Sequence, residues 1–127
     1  MNPYQERLRG LLDQFVDFCY QASLKFPSDE RFGATSQIRR ASLSVPLNYI
    51  EGYARRKPKS RLNFLEISYG SLQESKYLLN FSLRHGWVSG KELKVGMIIA
   101  EESGAMMWKE IENLSAAVDD GESGKSP

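Results

Sequence analysis

The sequence predicts an all-α protein, an antiparallel up-and-down four-helix bundle over residues 1–118, whose second helix also faces another subunit. Three observations lead there. Apolar residues recur at three- and four-residue spacing in four long runs, and no segment alternates with period two for long enough to make a strand. The runs are joined by short breaks, which places consecutive helices side by side. The second run carries two apolar seams instead of one. A chain of 127 residues fits a single domain with a sizeable core.

The first helix is expected from about Pro3 to about Lys25, with Leu8, Leu11, Leu12, Phe15, Phe18, Cys19 and Ala22 on its apolar face. Phe26-Pro27 ends it. Ser28 or Asp29 offers an N-cap for a second helix that runs to about Arg56, and Pro58-Lys59-Ser60 reads as the next break. A third helix from about Ser60 to Arg84 presents Leu62, Leu65, Tyr69, Leu72, Leu79 and Leu83, with His85-Gly86 as its stop. Ser89 is the N-cap expected for a fourth. There Leu93, Met97, Ala100, Gly104, Met107, Ile111, Leu114 and Val118 form a heptad seam. Residues 119–127 contain no apolar side chain and read as a disordered acidic and polar tail.

In the second helix Ile38, Ala41, Val45, Asn48 and Gly52 make one seam and Leu43, Leu47, Ile50 and Ala54 another. An offset of two residues is about 200°, so the two lie on nearly opposite sides. An outward face of a lone bundle should be polar, and this one is Leu43, Leu47, Ile50 and Tyr49. Cover by long neighbouring side chains within one chain is the simpler account of such a stripe. A subunit interface is the preferred reading, because the third helix shows its own second line, Phe64, Ile67, Leu78 and Phe81. Pro46 removes one backbone donor and crowds the carbonyl of Ser42, so a bend is expected, with the hydroxyls of Ser42 and Ser44 near enough to help. Asn48, Glu51 and Gly52 weaken a helix unless another helix approaches closely, with Asn48 or Glu51 bonded to Arg40, Ser44 or Ser71 across the gap.

The formal charge of +1 conceals an uneven distribution. Between Gln37 and Phe64 stand seven basic residues, Arg39, Arg40, Arg55, Arg56, Lys57, Lys59 and Arg61, against Glu51 alone; from Glu101 onward seven acids face Lys109 and Lys125. The single cysteine, Cys19, has no thiol partner and sits on a core face. The first residues lack the basic and apolar regions of a secretion signal, and no uncharged apolar run approaches the ~20 residues that cross a bilayer. Cytoplasmic localisation, without membrane association, is the expectation.

Phe26-Pro27-Ser28-Asp29-Glu30-Arg31-Phe32-Gly33, then Ser36 to Ala41, then Ser44-Val45-Pro46 with Asn48 and Glu51-Gly52, and finally Phe64-Leu65 through Gly70-Ser71-Leu72 and Glu74 form an ordered set. In these blocks the chain resembles the bacterial four-helix bundle family of 23S rRNA intervening-sequence proteins, over about Leu8 to Leu114. It is more distantly similar to the accessory protein of diversity-generating retroelements. Tyr49 and Ile50 depart from the family pattern, which usually has an aliphatic residue and then alanine. The resemblance implies a ring or barrel-like homo-oligomer, a homopentamer. For the retroelement relatives it implies a basic surface that binds nucleic acid and a reverse transcriptase. The role of most members is not established.

No residue set nominates an enzyme. His85 stands alone at a helix end, paired Cys or His ligands are absent, and neither a phosphate-binding glycine loop nor a Ser-His-Asp set is present. Glu101, Glu102, Glu110 and Glu112 read as an exposed acidic face, not a di-metal site, which would need Glu-x-x-His pairs. No cofactor is expected. The seven basic residues are the candidate contacts to RNA or DNA, sequence-tolerant and salt-sensitive. A solvated charged turn is the simpler account of the same residues. It leaves a structural or protein-interaction module with no nucleic-acid ligand as the other function class.

Overall fold

A computed structural model describes residues 1–123 of the chain. Four α-helices follow in order: α1 (Pro3–Ser23), α2 (Ala34–Ala54), α3 (Pro58–Arg84) and α4 (Gly90–Ser123), with a 3₁₀ turn at Ser28–Glu30 between the first two. No strand occurs among the described residues. Each helix packs on its sequence neighbours, and α1 closes on α4, so α1 and α3 are diagonal, as are α2 and α4. Ion pairs fix the direction: Arg7 near the start of α1 meets Glu102 in the middle of α4, whereas Lys25 just past its end meets Glu92 near the start of α4.

The helix ends differ from the expectation where turn chemistry intervenes. Ser28 and Asp29 begin the 3₁₀ turn, closed by bonds from Glu30 N to Pro27 O and Arg31 N to Ser28 O. The second helix starts only at Ala34, whose backbone N–H donates to the Glu30 carboxylate at 3.2 Å. It ends at Ala54, not Arg56. Pro58 is the first residue of α3 rather than part of a break, since a first-turn proline loses only an N–H that has no intrahelical partner. At α4, Ser89 Oγ accepts from Glu92 N at 3.1 Å while the Glu92 carboxylate accepts from Ser89, a reciprocal cap. The tail expected from Asp119 is helical through Ser123, because extending a formed helix needs no new nucleus. Residues 124–127 lie outside the described part.

The core contains Leu8, Leu12, Phe15 and Cys19 of α1, Ile38 and Val45 of α2, and Ala100 and Met107 of α4. Burial pushes the Cys19 thiol up to about 12, so it stays neutral and inert. On α3 the inner seam is Leu65, Ser68, Leu72, Ser75, Leu79, Ser82, leucine and serine each repeating every seventh residue. The serines are fully buried, and each hydroxyl donates to a carbonyl: Ser68 to Val45 of α2 at 2.6 Å, Ser75 to Ser71 at 2.8 Å and Ser82 to Leu79 at 2.6 Å. A small side chain at alternate core positions lets neighbouring helices approach, and no unsatisfied donor is left behind.

α2 continues without interruption past Pro46, which is buried. The two hydroxyls expected to serve its freed carbonyl are engaged elsewhere, Ser42 on the Arg39 carbonyl at 3.3 Å and Ser44 on Ser71.

Close approach is tightest at Gly96 of α4, where a Cβ would lie 2.2 Å from Cε1 and 2.4 Å from Cδ1 of the Phe18 ring. Gly96→Ala is therefore expected to lower unfolding free energy by about 1–3 kcal/mol through overpacking, despite the roughly 1 kcal/mol that alanine gains in a helix. Urea denaturation reads the sign directly, and a stabilised variant would show that the Phe18 ring yields freely.

Candidate assembly face and nucleic-acid interface

α2 divides as its two seams require. Ile38, Ala41, Val45 and Gly52 are buried, whereas Leu43, Leu47 and Ile50 are 41%, 55% and 43% exposed in a line down the outside. Two hydrogen bonds register α3 beside α2: Ser44 to Ser71 at 2.9 Å, and Ser68 to the Val45 carbonyl. One turn further along each antiparallel helix, Leu47 and Ile67 come to the same level, and Ile67 is 44% exposed. The second line on α3 is thus partly outward, with Phe64, Leu78 and Phe81 half-buried.

Tyr49 does not belong to this face. It is fully buried, and its hydroxyl donates to Glu110 of α4 at 2.6 Å, where the Tyr53 hydroxyl also arrives. One residue of helix is about 100°, enough to carry Tyr49 from beside Ile50 to the inner side with Ser42, Val45 and Pro46. Burial first, then the hydrogen bond to Glu110, push both phenols above the ordinary tyrosine range, so both remain protonated donors.

The polar residues of α2 act as ties between helices. The Asn48 side chain donates to Ser44 O at 2.9 Å and Ser44 Oγ at 2.8 Å, and Ser44 carries the connection to Ser71. A Cβ on Gly52 would meet Arg61 O and Phe64 Cβ at 3.3 Å, so glycine admits α3 there. Glu51 is exposed and pairs with Arg55.

The seven basic residues do not form one patch. Arg39 and Arg40 are separated from Arg55 by roughly 20–25 Å of helix at 1.5 Å per residue. Arg39 reaches back to α1, donating to Ser23 Oγ at 2.9 Å with its guanidinium 5.1 Å from the Tyr20 ring centre. Arg40 is exposed at a shallow cleft with Gln37, Ser44, Ser71 and Glu74. At the α2–α3 turn Arg61 faces inward, donating to the carbonyls of Gly52 at 3.3 Å and Arg55 at 3.0 Å and so closing the end of α2. Arg55 lies over the Phe64 ring at 4.6 Å. Exposed on the turn are Arg55, Arg56, Lys57 and Lys59.

The acidic part of the chain lies at the same pole. Tyr53, one turn before Arg56, is bonded to Glu110, and α4 continues from there with Glu112, Asp119 and Asp120. Between the two runs a cleft of about 470 Å³ is lined by Tyr4, Tyr53, Arg61, Lys109, Glu110 and Asn113 among others. His85 caps α3, stacked on Phe81 at 4.2 Å. No group of three or more His, Cys, Asp and Glu residues suited to a metal ion occurs among the described residues. No described helix is long and apolar enough to cross a membrane.

A family model described as 23S rRNA-intervening sequence protein matches residues 12–109. Among solved structures, a protein of unknown function from the S23 ribosomal protein family of Bacteroides thetaiotaomicron superposes with a TM-score of 0.75. It is 16% identical, covering 82% of this chain and 97% of its own, and shares the fold. Comparison with curated proteins finds no match.

Proposed function

The chain belongs to the 23S rRNA-intervening sequence protein family, and on that footing we propose that it is a non-enzymatic, homo-oligomeric four-helix protein that gathers basic turns from several copies against RNA or DNA. The observation that carries this reading is the line Leu43, Leu47, Ile50, apolar and exposed on the side of α2 remote from the core. Three such residues a turn apart, with Ile67 alongside, make a contiguous strip of the kind that a second subunit covers. The family resemblance supplies the number: a pentameric ring, working in the cytoplasm.

A ring multiplies a weak electrostatic site. Each chain contributes Arg55, Arg56, Lys57 and Lys59 on one turn, and phosphate contacts release counterions with a steep dependence on salt. Held together, several such turns act on one strand at high effective concentration. Binding of this kind is indifferent to sequence, and it suits a scaffold for a nucleic-acid enzyme such as a reverse transcriptase.

Changing Arg55, Arg56 and Lys57 together to Glu is expected to abolish retention of a labelled RNA or DNA strand at about 50 mM salt while the oligomer stays intact. A wild-type protein that retains neither strand under those conditions defeats the nucleic-acid part. A second reading, a protein-interaction module with no nucleic-acid ligand, is favoured by three observations. Arg55 is paired with Glu51, Arg61 is engaged by backbone carbonyls, and the acidic end of α4 lies at the same pole.

A further inference from the structure

The cleft of about 470 Å³ beside the basic turn shares no residue with the apolar strip of α2, and its volume is that of a small-molecule site. Glu110 is half-buried there. Each of its carboxylate oxygens accepts one phenol, Tyr49 on Oε1 at 2.6 Å and Tyr53 on Oε2. A carboxylate has about four acceptor positions, so one on each oxygen is left open. The charge is also unpaired: Glu110 makes no ion pair with a described residue, although Arg61 and Lys109 line the same cleft.

The cations have donors to spare. Arg61 spends Nε and one terminal N–H on the carbonyls of Gly52 and Arg55, which leaves three of the five N–H donors of a guanidinium. Lys109 is exposed and makes no ion pair with a described residue. Tyr4 is anchored by its hydroxyl on Met106 O at 2.8 Å, so what it offers the cleft is its ring, which is 37% exposed. Two positive groups, a flat wall and a pair of acceptors thus share one opening.

We propose that this cleft binds a guanine nucleotide, with the Watson–Crick edge of the base on Glu110, its face on Tyr4 and its phosphate on Lys109 and Arg61. The base edges decide. Guanine presents two adjacent donors, N1–H and the N2 amino group, which match the two open oxygens of one carboxylate side by side. Adenine and cytosine set their amino group next to a ring-nitrogen acceptor, and uracil sets its N–H between two carbonyls, so each brings a lone pair against Glu110. Charge disfavours simpler ligands, because a bare phosphate meets Glu110 and a polyamine meets Lys109 and Arg61. The proposal deepens the nucleic-acid reading and rests on it where the guanine belongs to a strand: the turn attracts any phosphate backbone, and the cleft at the same pole reads one base.

The test titrates the full chain with guanosine and adenosine 5′-monophosphate by calorimetry, and with two labelled oligouridine strands, one carrying a single guanosine, at about 50 mM salt. A site for the free nucleotide binds the guanosine form roughly tenfold tighter or better. A site that needs a strand retains the guanosine-bearing one by the same margin while neither mononucleotide binds. In both cases Glu110→Gln is expected to remove the preference, since an amide offers one acceptor and one donor in place of two acceptors. Ligands built on 1-methylguanosine, which lacks the N1–H donor, are expected to lose it on the wild type, so a folding defect in the variant leaves the contact testable. Equal binding of the two mononucleotides with equal retention of both strands overturns the proposal and leaves the nucleic-acid reading of the turn standing. Guanosine monophosphate bound with neither strand retained defeats the reading of the turn and supports the cleft. No binding of any of the four defeats both, and a guanine preference that survives methylation of N1 overturns the proposal alone.

Discussion

With Leu47→Glu and Ile50→Glu introduced together, the chain is expected to drop from a ring-sized assembly to a monomer of 14.4 kDa. Both side chains stand in solvent on the isolated protomer. Exchanging them for carboxylates there changes unfolding free energy by no more than about 0.5 kcal/mol. Covered by a neighbour, each carboxylate is a buried charge with no partner, a loss of about 3–5 kcal/mol, or roughly two to four powers of ten in association at 1.4 kcal/mol each. Light scattering supplies the mass, and circular dichroism checks that the helices survive. A wild type that is monomeric before any change ends the assembly reading. A double variant that unfolds would place the strip against the chain's own surface instead.

The second large effect is expected inside the bundle. Tyr49→Ala should lower unfolding free energy by about 3–5 kcal/mol, a large share of the roughly 5–15 kcal/mol typical of a domain. The ring is fully buried and packs against Tyr53 at 5.0 Å, and the hydroxyl is one of two donors on Glu110. Tyr49→Phe separates the contributions. It keeps the ring and removes one donor from a half-buried carboxylate, at a cost of about 1–3 kcal/mol. Urea denaturation of both variants checks the pair. Should Tyr49→Ala cost less than about 1 kcal/mol, the tyrosine would be a bystander and the α2–α4 tie would lie elsewhere.

These two residues are neighbours along α2, and they show where pattern reading succeeds and where it stops. Leu47 is legible as outward because three- and four-residue spacing is the helix repeat itself, so a second seam offset by two residues has only one place to go. Tyr49 is four residues from Val45 and three from Gly52, so the same repeat carries it to the inner seam; what no spacing shows is that its hydroxyl ends on Glu110, sixty-one positions away in the chain. Ser68, Ser75 and Ser82 were invisible for a related reason. Hydropathy ranks serine as polar, yet a hydroxyl that returns its proton to a nearby carbonyl is as well satisfied in a core as in water. Their strict seven-residue spacing was the available signal.

Charge misled in the opposite direction. Arg39, Arg40 and Arg55 to Arg61 are close in the sequence, but a helix converts sequence separation into length and direction, so Arg39 ends on α1 and Arg61 on the carbonyls that finish α2. Acidic and basic runs that stand far apart in the chain meet at one pole, because α2 and α4 run the same way in an up-and-down bundle. Helix number, order, polarity and most of the buried seams thus follow from local spacing, which is a property of consecutive residues. Which arginines face solvent, and which carboxylate or carbonyl each buried hydroxyl reaches, depend on distant segments packing together. Long-range contacts of that kind leave no period in the sequence to read.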